Sequence, residues 1–342
     1  MESHKAKEQT RRREATLRRQ KRRRAQVTHA RRAETDDTVQ HGAPTPHDDD
    51  TQPTSTPLTT STTPNTPLPH HALPPITAAE WMVDVPDDLA RAWMLVVRPR
   101  GFRCLVATTG GQTLVAAPTP RGVKGRRRLF QSALPGGSRS SSRASDACEL
   151  ECVRSDDEHT YYVLDVLRWR GASLVDTTAE FRFFWLRARL EESRCGEASA
   201  LNPWRFVVPP VLSCTADSLR AAHTLPVGYE KDGILFYHRE GLYEAGRSPL
   251  VLLWGDASCL PGFYDYNTDE MARMTEVDPE RARRWRTDST DAALTLDDLL
   301  RHVSGAEDAT AVSSTDLEMD MTYISSRLSL RADVTVRWCE CS

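Results

Sequence analysis

Seven short apolar runs crowd the chain between Trp93 and Trp254, and any fold open to this sequence has to bury them together. They are "WMLVVRP" (Trp93–Pro99), "RCLVA" (Arg103–Ala107), "TYYVLDVLRW" (Thr160–Trp169), "AEFRFFWL" (Ala179–Leu186), "WRFVVPPVL" (Trp204–Leu212), "GILFYH" (Gly233–His238) and "PLVLLW" (Pro249–Trp254). All are rich in Val, Leu, Phe, Tyr or Trp, and most are bounded by Gly, Pro or Asp, which predicts strands. "TADSLRAAHTL" (Thr215–Leu225) opens on Thr and Asp and predicts a short helix, as does "LTLDDLLRHV" (Leu294–Val303) further on. Many strands with few helices predict an α+β domain of mostly antiparallel sheets.

The rest of the chain has a different texture. Residues 1–32 hold 13 of the 45 Lys+Arg and only three acids, leaving 32 basic and 45 acidic residues elsewhere. A basic head on an acidic body is a local device rather than a general coat for nucleic acid. From residue 33 to 74 the composition turns to Thr, Pro, His and Asp, including "HDDDTQPTSTPLTTSTTPNTPLPHH" (His47–His71). Repeated prolines deny helix and sheet their amide donors, so this segment reads as a disordered tether. The globular part is expected over 75–260, followed by an acidic, partly disordered region over 261–342. No run of 18 apolar residues and no apolar leader is present, so neither a membrane span nor a secretory signal is expected.

Enzymatic motifs are missing. There is no GxGxxG and no GxxxxGK[ST] loop. "EKDGILFYH" (Glu230–His238) approaches the Lys-x-Asp-Gly nucleophile motif of covalent nucleotidyltransferases, but Lys231 and Asp232 are adjacent, with no residue between them. The eight cysteines include no CxxC pair, which points to reduced thiols and no metal. Aromatic and basic chemistry is better represented. Trp81 sits where the tether gives way to globular sequence, and Trp254 ends an apolar run; each indole suits either core packing or stacking on a nucleobase. Arg98, Arg100 and Arg103 lie nearby, and "TPRGVKGRRRLF" (Thr119–Phe130) carries five Lys/Arg and no acid, either a solvated loop or a phosphate-neutralising one.

Several unusual blocks then occur together: "EWMVDVPDDL", "RPRGFRCLVA", "LPGGSR", "TYYVLDVLRWRG", "FRFFWL", "LNPWRFV", "DGILFYH" and "SPLV", from Glu80 to about Trp254. In order and spacing they resemble the snurportin family, import adaptors for spliceosomal small nuclear ribonucleoproteins. "VTHARR" (Val27–Arg32) resembles the end of that family's importin-β-binding helix. The resemblance implies a core similar to the nucleotidyltransferase fold of mRNA-capping guanylyltransferases, without the nucleophilic lysine and without a cofactor, and with a disordered basic N-terminal segment. It implies a ligand, the 2,2,7-trimethylguanosine cap of small nuclear RNA, and partners, importin-β and the nuclear export receptor. A protein shuttling between nucleus and cytoplasm is implied, and no enzyme.

Carried over residue by residue, the resemblance makes Trp254 the base-stacking tryptophan and Trp81 the one beside the methylated amine. Ala78 and Ala79 stand where the family has Leu-Ser lining the cap, so a hydroxyl contact is lost. Gly101, Phe102 and Arg103 match a cap-contacting turn, and Lys124 or Arg121 in the basic loop is the equivalent of a phosphate lysine. "PLVLLW" carries one extra residue, so the stacking position falls on Trp254 or on Leu253. Importin-β binding is expected from Arg11, Arg12, Arg13, Arg18, Arg19 and Lys21. The same expectation covers Arg22, Arg23, Arg24, His29, Arg31 and Arg32, in a segment shorter at its start than the family's.

Overall fold

The computed structural model describes residues 4–40, 76–116, 128–141, 143, 146–255 and 294–307. Twelve strands and five α-helices make up these residues, with one 3-10 turn at Arg139–Ser141. The strands are β1 (Thr77–Trp81), β2 (Trp93–Pro99), β3 (Phe102–Thr109), β4 (Gln112–Ala116), β5 (Arg128–Phe130) and β6 (Glu149–Ser155), then β7 (Thr160–Trp169), β8 (Ala172–Ser173), β9 (Arg205–Val207), β10 (Val211–Ser213), β11 (Lys231–His238) and β12 (Gly246–Trp254). The helices are α1 (His4–Gln40), α2 (Leu89–Ala92), α3 (Ala179–Glu192), α4 (Ala216–Thr224) and α5 (Leu296–Glu307). Residues 41–75, which hold most of the expected tether, residues 117–127, which hold most of the basic loop, and most of the region beyond residue 255 lie outside the described residues.

Two sheets form. One has five strands in the order β1-β12-β11-β2-β10; the other has seven, running β5-β4-β3-β6-β7-β8 with β9 paired to β7. Only β1–β12 and β7–β9 run parallel, so the expected α+β class with mostly antiparallel sheets is the one observed. Pro209 and Pro210 break "WRFVVPPVL" into β9 and β10, because neither can donate to a ladder.

The large sheet packs on one face of the small one. Met94, Val96, Leu235, Tyr237, Val251 and Leu253 meet Val153, Tyr162, Leu164 and the α3 residues Phe183 and Leu186 in a shared core. The opposite face of the small sheet buries Leu95, Val97, Ile234, Phe236, Leu252 and Trp254 against Leu219 of α4 and Leu299 and Val303 of α5. The region after 260 therefore adds a helix to the core. The five described cysteines are buried and free; burial pushes the Cys148 thiol up to about 11 and the Cys195 thiol to about 12.

One strand expectation fails. "AEFRFFWL" is not a strand but the first half of α3. The Thr178 hydroxyl accepts from Phe181 N–H at 3.3 Å and caps the helix, and its buried positions (Ala179, Arg182, Phe183, Leu186, Leu190) follow a helical period.

The basic head differs too. Expected to be disordered, it is helical from His4 to Gln40, and its arginines meet acids of the body. Arg12 pairs with Glu80 and Arg19 with Glu244, both at 2.7 Å, and Arg23 pairs with Asp176 at 2.8 Å. Arg13 is buried, its guanidinium 5.7 Å from the Trp93 ring centroid.

Beside Arg13, the end of β11 carries a buried histidine. His238 lies edge-on to Trp93 with centroids 5.1 Å apart; its Nδ1 accepts from the Glu240 N–H at 3.3 Å, and its Nε2 stands 3.9 Å from Asp88. Burial holds its pKa below the ordinary 6.5, against the pull of Asp88 and Glu240 and with Arg13 adding to the depression. Below 6.5 the unfolded chain takes up a proton that the folded one refuses, so stability should fall as pH drops through 6.5. Melting temperatures between pH 7.5 and 5.5 should show a component of this slope that His238→Gln removes. An unchanged slope in that variant would contradict the assignment.

Candidate functional site

β1 is an edge strand, and its side chains split between two jobs. A bulge between Ala79 and Glu80 sets Trp81 opposite Leu253 of β12. Leu253 in turn faces Leu235 of β11, which faces Val96 of β2. Ala79, Leu253, Leu235 and Val96 belong to the core between the sheets, and the partly exposed Trp81 packs against it. The result is a partly exposed indole at the edge of the small sheet, its inner side against the buried core. Glu80 points to α1 instead, where it accepts from Gln9 at 3.2 Å and from Arg12.

Trp254 does not join this group. Successive residues of a strand face opposite sides, so if Leu253 faces Trp81, Trp254 cannot. Its ring is 1% exposed, packed with Leu252, Ile234 and Val97 near α4 and α5, and its Nε1 donates to the Leu294 carbonyl at 2.8 Å. Leu253, equally buried at 1% exposed, is the residue on the Trp81 side of the strand, and Trp254 lies on the opposite side.

The β2–β3 turn holds a second group of expected residues. Gly101 adopts φ +150°, and a Cβ there would stand 2.3 Å from the Arg154 carbonyl, so no other residue fits. Phe102 is 57% exposed beneath the Arg154 guanidinium, 5.2 Å away. Arg103 turns inward to a buried ion pair with Glu151, which also accepts from the Thr77 N–H and the Tyr243 hydroxyl, each at 3.1 Å. Glu151 thereby ties the expected residues of β3 to the start of β1, the residue before Ala78. Arg103 Nε is buried with no hydrogen-bond partner among the described residues. Lys124 and Arg121 lie outside the described residues.

Among the basic residues of α1, Arg12, Arg13, Arg19 and Arg23 turn to the body, while Arg11 and Arg18 pair only along the helix with Glu8 and Glu14. Lys21, Arg22, Arg24 and His29 are exposed; the side chains of Arg31 and Arg32 lie outside the described residues. Lys21, Arg24 and His29 line, with Leu17, Gln20 and Glu240, a cavity of about 460 Å³ that shares no residue with the Trp81 rim. Lys231, next to the failed nucleophile motif, donates to the carbonyls of Ala222 (3.0 Å), His223 (2.7 Å) and Leu225 (3.0 Å), closing the C-terminal end of α4. Its amine is a helix cap.

Two features escaped the sequence reading. Glu151, hidden in a strand, organises Arg103; Gln9 and Glu80 join α1 to β1. No local signal marks them, because each is defined by a partner 48 to 74 residues away.

Chemically this is a two-sheet α+β domain with a partly exposed indole at the edge of its small sheet, a π-face that can take a planar ring. Residues 76–255 match the family model for "Snurportin1, m3G cap-binding domain". The chain belongs to the snurportin family. Similar solved structures include DNA ligases. A mycobacterial DNA ligase D complexed with ATP and MES is 15% identical, over 53% of this chain and 61% of that one, with a TM-score of 0.35. The ligase domain of M. tuberculosis LigD is 14% identical over 53% and 60%, with a TM-score of 0.34. The Chlorella virus DNA ligase-adenylate is 11% identical over 53% and 68%, with a TM-score of 0.29. The matched part spans about three fifths of the first two, and likeness this low says nothing of the chemistry of this chain.

Proposed function

We propose that this chain is a nuclear import adaptor, not an enzyme: it binds the 2,2,7-trimethylguanosine cap of small nuclear RNA at the Trp81 rim and links the ribonucleoprotein to importin-β through α1. The observation that carries the reading is the partly exposed Trp81 indole against Leu253, within a domain of the cap-binding family. Methylation at N7 makes the base cationic, and an indole face attracts it by about 0.5–2 kcal/mol. Two methyl groups on the exocyclic amine remove its donors; a cap with a free amine would leave those donors unpaired against an apolar surface. Ala78, Gly101, Phe102 and Arg103 are the further cap contacts that the family pattern implies, and Lys124 or Arg121 of the basic loop takes the phosphates. Trp81, the partly exposed indole, carries the charge–quadrupole attraction.

The import half is supported by the exposed basic residues of α1, which suit the acidic inner surface of a helical solenoid. On this reading the protein shuttles between cytoplasm and nucleus and returns with the export receptor. The cap half is tested by fluorescence quenching of the full chain with trimethyl and monomethyl cap dinucleotides. Tighter quenching by the trimethyl cap is expected; equal quenching, or none, would sink the reading.

A further inference from the structure

The face that α1 buries is unusual for a docked helix. Its buried positions are Ala6, Gln9, Arg13, Thr16 and Gln20, a helical stripe with almost no apolar surface. A stripe of this kind holds its place by hydrogen bonds, since a buried carboxamide without partners is costly. The two glutamines are the anchors, and both read main chain. Gln20 accepts from the Leu242 N–H at 2.8 Å and donates to the Leu242 carbonyl at 3.4 Å. Gln9 donates to the Trp81 carbonyl at 2.7 Å and to Glu80 Oε2 at 3.2 Å, and accepts from the Val83 N–H at 3.3 Å.

These Gln9 contacts have a specific geometry. β1 is the edge of its sheet, so the Trp81 carbonyl and Val83 N–H are groups a further strand would pair. On the inner side Met82 N–H already donates to the Leu253 carbonyl at 2.9 Å. The backbone around Trp81 is therefore gripped from both sides, by β12 within the sheet and by one carboxamide of α1 outside it. Beyond this point the chain leaves the strand.

We infer that Gln9 is a positioning residue for the Trp81 rim: by bridging the Trp81 carbonyl and the Val83 N–H, the docked basic helix fixes the strand end that carries the ring-stacking indole. The helix is then part of the ring site's support as well as an address. The inference rests on the cap-binding reading above. It also makes helix release and ring binding oppose each other, because whatever draws α1 off the body removes the outer grip on Trp81.

The test uses the full chain and three variants. Gln9→Ala should weaken binding of the trimethyl cap dinucleotide roughly three- to tenfold, within the range seen for residues that act on a site without touching the ligand. Gln9→Met keeps the side-chain length but lacks the bridge, and should fall as far. Gln20→Ala removes the equivalent anchor at Leu242, away from Trp81, and should bind within about twofold of the native chain. A loss of stability alone would not move the affinity of the folded fraction, so melting temperatures taken alongside separate the two effects. Native affinity in Gln9→Ala or Gln9→Met, with selective binding intact in the unaltered chain, overturns the inference. Hydrogen exchange gives a readout without ligand: the Met82 and Val83 amides should exchange faster in Gln9→Ala and not in Gln20→Ala. Unchanged exchange there also overturns it, even if the unaltered chain shows no cap preference and the cap-binding reading itself has failed.

Discussion

Trp254→Ala is expected to cost the fold about 3–5 kcal/mol, the usual loss on emptying a buried aromatic site, yet to leave the affinity of the folded fraction for a trimethyl cap dinucleotide close to native. The ring is 1% exposed among Leu252, Ile234 and Val97, and its truncation also orphans the Leu294 carbonyl that anchors the start of α5. Trp81→Ala should do the reverse. Its indole is partly exposed at the rim, so stability changes little, while the stacking contribution of roughly 1–3 kcal/mol per base is lost. Urea denaturation followed by circular dichroism, together with anisotropy of a labelled cap dinucleotide, reads the two quantities separately. A Trp254→Ala chain of native stability that no longer binds the cap would show that the two tryptophans had been assigned the wrong way round.

The second large effect is expected at Arg182. Its guanidinium meets Asp165 of β7 in a bidentate pair, Nε to Oδ1 at 2.7 Å and Nη2 to Oδ2 at 3.0 Å, with both side chains buried. Nη1 also donates to the carbonyls of Thr177 (2.5 Å) and Gly241 (3.3 Å), so one side chain joins α3, the large sheet and the β11–β12 connection. Arg182→Ala leaves the Asp165 carboxylate buried without its countercharge, at a cost of about 3–5 kcal/mol. Replacing both, as Arg182→Met with Asp165→Leu, should recover most of the loss, because an apolar pair of similar volume leaves no charge to desolvate. Chemical denaturation of the two variants decides the matter; a single variant within about 1 kcal/mol of native would show that the pair holds little.

The uneven legibility of this chain has particular causes. β2 and β7 run Trp93–Pro99 and Thr160–Trp169, the bounds expected from their apolar content and flanking breakers, because a strand buried on both faces reads as an unbroken run. α4 was equally open, since the Thr215 hydroxyl caps it within its own sequence, accepting from the Ser218 N–H at 3.1 Å. α3 was not. Its four aromatics in five positions look like a strand, and the arginine among them turns inward only because Asp165 waits 17 residues upstream. The basic head showed its charge plainly, but the acids that let it coil, Glu80, Asp176 and Glu244, come from three separate places in the body.

The rim itself divides in the same way. The residue blocks around Trp81 and Arg103 suffice to place the chain in its family and to name the ring as the ligand class, since those signals are contiguous in sequence. Whether residue 253 or 254 faces the ring is a question of strand parity, and parity is set by how β12 pairs with β1 and β11. A shift of one residue reverses every side chain, and the composition of "PLVLLW" is compatible with either setting. By itself the sequence determined the α+β class, the family and the presence of a basic N-terminal segment. Only the tertiary structure decided that Leu253 pairs with Trp81, that Trp254 packs on the opposite face of the sheet, and that Gln9 of α1 grips the strand carrying Trp81. Each of those depends on groups far apart in the chain meeting at hydrogen-bond distance.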